Sequence, residues 1–243
     1  MSSPALQSDA SLYFRPHVTV VLAMSADGKI SDAHRTAARF PSTADKHHLE
    51  QRITTVDATL LGADTLRAYG TTALIKDPAL LEKRRQQHQC PQPIQIVCSL
   101  SGKLDSSMQF FRQPVTRWLL TTTTGAANWK GQAGFERLWI APTVAPTVEM
   151  SHIFDWLQIL TELKTFKIHH LLVMGGGRLV ATLMAADLID ELWLTICPLI
   201  IGGAQAPTPC DGIGFSLANA PRLTLVSSHT IGDEVFLNYQ RQR

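Results

Sequence analysis

Short apolar, β-branched runs recur along this chain, each cut off by a glycine- or hydroxyl-bearing turn, and this recurrence restricts the fold more than any other feature. His17-Val-Thr-Val-Val-Leu-Ala-Met24 is apolar almost throughout and ends in Ser25-Ala-Asp-Gly28. Such a run reads as a strand covered on both faces. Val56–Leu61 enters Gly62-Ala-Asp-Thr65, Ile94–Cys98 enters Ser99-Leu-Ser-Gly102, and Val115–Thr121 enters more threonines. His170–Met174 enters Gly175-Gly-Gly-Arg178, while Leu138–Ile140 and Asp190–Ile196 read as further strands. Helical stretches lie between: one started by Ser42-Thr-Ala-Asp45 and running through Ile53, then Leu66–Tyr69, Asp77–Gln87, Ser151–Lys164, and one opened by the three glycines. This alternation predicts an α/β fold with a mostly parallel central sheet and helices on both faces. Arg222–Ser228 and Glu234–Tyr239 predict an antiparallel hairpin at its end. Residues 1–14 read as a flexible tail and residues 15–243 as one domain, because no repeat, low-complexity tract or linker interrupts them.

Composition narrows the function classes. Apolar residues make up 45% and charged residues 17% of the 243, which excludes disorder over most of the length. Lys and Arg total 22 against 20 Asp and Glu, and the only tight basic group is Lys83-Arg84-Arg85, so a dedicated nucleic-acid binder is excluded. The four cysteines show no C-x-x-C spacing and read as free thiols of a cytoplasmic protein. No signal peptide and no apolar stretch of about 18 residues or more is present, so no membrane association is expected. His47-His48 is a poor metal pair, since adjacent side chains on a helix diverge by about 100°; a solvated face is expected there, and no metal site is expected elsewhere. Neither H-E-x-x-H nor G-x-S-x-G occurs.

Ligands of open α/β sheets sit beyond the carboxyl ends of the strands. Four such ends carry glycine amides, hydroxyls and helix starts, which is what a phosphate-bearing cofactor requires. Gly175-Gly-Gly-Arg178 is the sharpest of them: glycine lets backbone approach a ligand and offers amides unobstructed. The alternative is a tight strand-to-helix turn with no ligand. It is not the Rossmann fingerprint, because Val180 stands where a third spaced glycine is needed, and no P-loop lysine follows any glycine. Asp27 is either turn chemistry or a carboxylate at the ligand edge that orients a substrate or helps a proton move.

The order of these pieces resembles the riboflavin-biosynthesis reductases. Val18–Ile30 looks like their opening strand, Asp57–Ala68 like their second motif, and Leu172–Val180 with Leu188–Gly203 like their third. The resemblance runs from about Arg15 to the C-terminus. It implies a dihydrofolate-reductase-like fold, NADPH as cofactor, and reduction of 5-amino-6-(5-phosphoribosylamino)uracil to its ribitylamino form by hydride transfer to ribose C1. It also implies a homodimer. The zinc deaminase domain that often accompanies such a reductase has no counterpart motif here. Carried over by residue, Ala23 lines the nicotinamide, and Gly62 and Thr65 meet the cofactor's ribose and pyrophosphate. Ser99 and Lys103 meet the adenosine 2′-phosphate, aided by Thr121–Thr124. Gly175, Gly176, Gly177, Arg178 and Leu179 wrap pyrophosphate and nicotinamide. Ser25, Asp27 and Met174 face the substrate, with Asp27 the catalytic candidate, and Arg84 or Arg67 meets the substrate phosphate. Two substrate-side positions depart from the family pattern: Val21 stands for a common Lys, and Met174 for a common Glu. Two further readings stay open, a reductase of the same fold acting on another small heterocycle or carbonyl, and a non-catalytic nucleotide-binding protein.

Overall fold

The computed structural model describes residues 14–144 and 154–243. The expected tail therefore lies outside the described residues except for Phe14, as does the start of the helix expected from Ser151. Along the chain run β1 (His17–Ser25), α1 (Thr43–Thr54), β2 (Ala58–Gly62), α2 (Ala63–Tyr69), α3 (Pro78–Gln86) and β3 (Ile94–Ser99). A 3-10 turn (Gln109–Arg112), β4 (Arg117–Thr121), α4 (Thr123–Ala127), β5 (Arg137–Ile140) and α5 (Trp156–Thr165) follow. Then come β6 (His170–Val173), α6 (Gly177–Ala185), β7 (Glu191–Cys197), β8 (Arg222–Ile231) and β9 (Glu234–Gln242).

The strands form one sheet in the order β5-β4-β3-β2-β6-β1-β7-β9-β8. Pairing is parallel from β5 through β7, while β7–β9 and β9–β8 are antiparallel. The α/β architecture with a C-terminal hairpin is therefore as expected. Local chemistry explains the element starts. The Ser42 hydroxyl accepts from the amides of Ala44 and Asp45 to cap α1, and Asp77 caps α3 ahead of Pro78. The threonine run does not simply end β4: the Thr122 hydroxyl accepts from the Gly125 amide and opens α4, an unanticipated short helix.

Alternation along the central strands divides the core. Val18, Val20 and Leu22 of β1 join Leu60, Ile96, Leu171 and Val173 on one face, under Ile159, Leu160 and Leu163 of α5 and Val180 and Leu183 of α6. Each such side chain, fully buried, contributes about 1.5–3 kcal/mol relative to exposure. Val21 and Leu172 point to the other face and pack beneath α1 with Ile53, Val56 and Ile75. Four of the five tryptophans are buried, as expected of core fillers: Trp118, Trp129, Trp139 and Trp156. The insertion of β6 between β2 and β1 sets the location of function. It brings the carboxyl ends of three strands side by side, and with them Gly62, the glycine turn and Ala23.

Candidate active site

The glycine turn and the second strand are joined directly. The Met174 amide donates to Leu60 O (2.9 Å) and the Gly62 amide to Gly175 O (3.0 Å). Gly175 has φ +99°, a conformation that side chains other than glycine's rarely adopt. A Cβ on Gly176 would lie 3.3 Å from Thr65 Oγ1, and one on Gly62 would lie 3.8 Å from the Gly176 amide nitrogen. Gly62, Thr65, Gly175 and Gly176 thus form a single cradle, residues that the family resemblance assigned to the cofactor. Gly177 opens α6, whose N-cap Gly176 supplies no side-chain acceptor; the Leu179 amide donates to Gly176 O (3.0 Å), while the Gly177 and Arg178 amides have no partner among the described residues and remain available to an anion. A Cβ on Gly177 would meet Thr208 O at 2.1 Å, so this glycine is needed to seat the 208–211 loop against the helix. Arg178 is exposed and makes no ion pair among the described residues, and Leu179 is half-buried against the core.

Ala23 and Met174 are half-buried at the same edge, Met174 bridging the apolar groups beneath α1 and α2. The remaining site expectations need correction. Ser25 is fully buried; its hydroxyl donates to Asp27 (2.6 Å) and accepts from the Lys29 amide (2.9 Å), so it holds the turn together rather than facing a substrate. Asp27 also accepts from the amides of Ile201 (3.1 Å) and Gly202 (2.7 Å). The Ser25 hydroxyl and these amides hold its carboxyl down at about 2, which makes it a fixed anion fastening two loops and a poor proton carrier.

Arg84 is 2% exposed and donates to the carbonyls of Cys90, Thr54 and Val56. Those of Thr54 and Val56 lie at the end of α1 and before β2, at the amino ends of the strands and so opposite the glycine turn, and that of Cys90 lies between α3 and β3, so Arg84 holds the fold together there rather than meeting a substrate phosphate. Arg67 pairs with Asp64 (2.6 Å) and donates to Lys103 O (2.9 Å). This places Arg67 beside the turn after β3, on the side of the cleft away from β1, and groups it with Lys103 rather than with the substrate residues. Ser99 is 4% exposed and its hydroxyl accepts from the Gly102 amide, so it shapes that turn from inside. Thr121 is likewise buried, whereas Thr123 and Thr124 are exposed.

Two residues of α1 depart from the sequence reading. His48 is not on a solvated face: it is buried against the rings of Trp193 (4.9 Å between centroids) and Phe236 (5.3 Å), and neither ring nitrogen has a hydrogen-bond partner among the described residues. Burial, reinforced by the Arg52 charge, pushes its pKa down to about 4. Asp45, part of the expected helix start, is buried, and burial pushes its carboxyl up. The signal that marks it, an acid at the third residue of a helix after a capping serine, is indistinguishable in sequence from an ordinary capping pattern.

Comparison with known proteins places this arrangement. The family model "RibD C-terminal domain" matches residues 16–237. A 2,5-diamino-6-ribosylamino-4(3H)-pyrimidinone 5′-phosphate reductase of Archaeoglobus fulgidus is 28% identical over 201 residues, covering 83% of this chain and 89% of the relative. The riboflavin biosynthesis protein RibD of Actinobacillus pleuropneumoniae is 25% identical over 226 residues, which span 93% of this chain and 57% of that longer protein. A crystal structure of a pyrimidine reductase-like protein from Corynebacterium diphtheriae superposes with a TM-score of 0.79 at 18% identity, over 98% of this chain and 96% of the other. With that family model matching residues 16–237, nearly the whole domain, this chain belongs to the RibD C-terminal domain family.

Proposed function

We propose that this protein is an NADPH-dependent reductase of the riboflavin pathway, reducing the ribose carbon C1 of a ribosylaminopyrimidine 5′-phosphate in its open imine form. The observation that carries the reading is the cradle of Gly62, Thr65, Gly175 and Gly176 beside the uncapped start of α6. Its glycines carry no side chain over the backbone amides, which fits close approach of a pyrophosphate. When bound, the cofactor supplies the hydride. The chain's own residues do the rest: the α6 amides with Arg178 hold the pyrophosphate, Lys103 with Arg67 meets the 2′-phosphate and favours NADPH over NADH, and Ala23 and Met174 keep water from the reacting face. Two forms of the substrate are candidates: the 2,5-diaminopyrimidinone that a relative's name gives, and the uracil that the resemblance of the sequence motifs implies. The same reading takes the protein as cytoplasmic; among the described residues no helix is long and apolar enough to cross a membrane. It also takes it as a homodimer.

The test is NADPH oxidation by the purified protein with each ribosylaminopyrimidine phosphate, alongside NADPH binding by fluorescence. Substrate-dependent oxidation is expected, and Gly176→Val is expected to weaken NADPH binding at least tenfold, because its side chain enters the cradle. Wild-type binding without turnover on either compound would move the assignment to another substrate, and unchanged affinity in Gly176→Val would overturn the cofactor site.

A further inference from the structure

The segment that leads into α1 is held mainly at its two ends. At its start, the Thr36 amide and hydroxyl both donate to the Asp32 carboxylate (3.0 and 2.8 Å), closing residues 32–36 into a turn. At its end, the Ser42 amide donates to Glu234 of β9 (2.8 Å), and the Ser42 hydroxyl donates to the same carboxylate while accepting from the Ala44 amide (3.0 Å). Glu234 is 3% exposed and also accepts from the Cys197 thiol of β7 (3.4 Å), so this anchor joins β7, β9 and α1. Residues 37–41 lie between the two ends, outside any helix or strand. Among the described residues their only hydrogen bond is one that the Tyr69 hydroxyl donates to Ala38 O (3.2 Å).

That single bond reaches across the cleft. Tyr69 stands one turn beyond Thr65 on α2, so the two share a face of the helix, and Thr65 lines the glycine cradle. The floor between α2 and α1 is Met174, which packs against the apolar groups beneath both helices. Running from the end of α2, where Tyr69 holds Ala38, to the start of α1 at Ser42, residues 38–42 therefore cross the gap in which Met174 lies. Ala37, Ala38, Phe40 and Pro41 are half-buried, and Arg39 is exposed. A stretch with few bonds of its own, fixed at its ends and fastened between them by one exposed bond, opens at small cost. When closed, it keeps water from whatever lies beneath it.

We propose that residues 37–41 form a strap that closes over the substrate side of the cleft, with the Tyr69 hydroxyl as its latch and Glu234 as its anchor, and that Tyr69 is thereby a positioning residue for the pyrimidine phosphate. This rests on the reductase reading above and deepens it. The cofactor lies against the cradle at the start of α2, whereas the strap crosses one turn further along, so it acts on the second reactant and not on NADPH.

The experiment compares the wild type, Tyr69→Phe and Glu234→Gln in three readouts. These are steady-state kinetics with 2,5-diamino-6-ribosylamino-4(3H)-pyrimidinone 5′-phosphate and with 5-amino-6-(5-phosphoribosylamino)uracil, NADPH affinity by fluorescence, and amide hydrogen exchange. In the wild type, exchange at residues 37–40 is expected to slow when the pyrimidine phosphate joins the oxidised cofactor, and not with the cofactor alone. Tyr69→Phe keeps the ring and removes the latch. It is expected to speed that exchange and to raise KM for the pyrimidine phosphate about three- to tenfold, the worth of one hydrogen bond, with kcat not lowered and NADPH affinity unchanged. Glu234→Gln loosens the anchor and is expected to raise KM at least as far and to speed exchange through Ser42. A parallel loss of kcat and NADPH affinity in Tyr69→Phe would mark a role in folding α2 and overturn the proposal. Exchange at 37–40 that the pyrimidine phosphate leaves unaltered, or a KM that Tyr69→Phe leaves unaltered, would overturn the strap while leaving the reductase reading intact. Failure of the wild type to bind either compound while binding NADPH would overturn both.

Discussion

At the residue scale, the largest departures from expectation are polar side chains that turned inward. Ser25, Ser99, Arg84, Asp45 and His48 all carry chemistry that suits a ligand, and all are buried. Three of them satisfy backbone groups of turns or element ends, which is what buried polar groups in native structures mostly do. His48 does not, and its position has a pH consequence. Its folded-state pKa, about 4, lies below the ordinary histidine value of 6.5. The unfolded chain therefore binds the proton more readily, and the neutral ring's contribution to stability is complete above pH 6.5 and is lost as pH falls from 6.5 toward 4. Asp45, shifted upward, acts in the opposite sense at the acid end of that range. We expect the melting temperature of the wild type to fall between pH 7 and pH 5. His48→Phe, which keeps an aromatic ring between Trp193 and Phe236, is expected to flatten that slope. An equal slope in both proteins, measured by calorimetry, would refute the assignment.

At the scale of elements, the cleft is assembled by fastenings between pieces distant in sequence. Asp27 ties the turn after β1 to residues 201–202, Glu234 of β9 ties the start of α1, and the 208–211 loop seats on Gly177 at the start of α6. Arg84 performs the same task at the amino ends of the strands, drawing α3 onto the end of α1 and the entry to β2 through the carbonyls of Thr54 and Val56 while a third bond, to Cys90 O, holds the loop before β3. Its charge has no carboxylate hydrogen-bonded to it among the described residues, and burial lowers its pKa. Replacing it leaves those buried carbonyls without donors, so Arg84→Met is expected to cost about 2–4 kcal/mol of stability. KM for the phosphorylated substrate should be unaltered at a temperature where the variant is folded. A rise in KM with unchanged denaturation midpoint would instead restore Arg84 to the substrate site. The helix at Thr123–Ala127 and the cap by Thr122 show why this scale is hard to read: threonines favour strands and also cap helices, and the choice was set by the Leu100 carbonyl that Thr122 meets at 2.8 Å.

At the scale of the whole molecule, the sheet ends in β8, whose residues are nearly all exposed, with Leu225 and Val226 about half exposed on an unpaired edge. Exposed apolar edges are what monomeric proteins avoid, and this supports the homodimer reading. Sedimentation is expected to give twice the chain mass of 26.8 kDa, and Leu225→Lys with Ile231→Lys is expected to halve it; a wild-type monomer would exclude the dimer. The sequence by itself determined the α/β class, the approximate strand positions, the cap at Ser42 and the two glycine turns at Gly62 and Gly175, whose meeting was decided by the insertion of β6 between β2 and β1. These follow from short-range rules of periodicity, turn chemistry and backbone freedom, which act within a few residues. Only the tertiary structure decided which polar side chains face a ligand and which hold the fold. Asp45 and His48 lie on one helix within one turn, and their surroundings are set by Trp193, Phe236 and Glu234, some 145 to 190 residues away. Burial and electrostatic environment are properties of contacts formed across the sheet, and no local pattern in the chain encodes them.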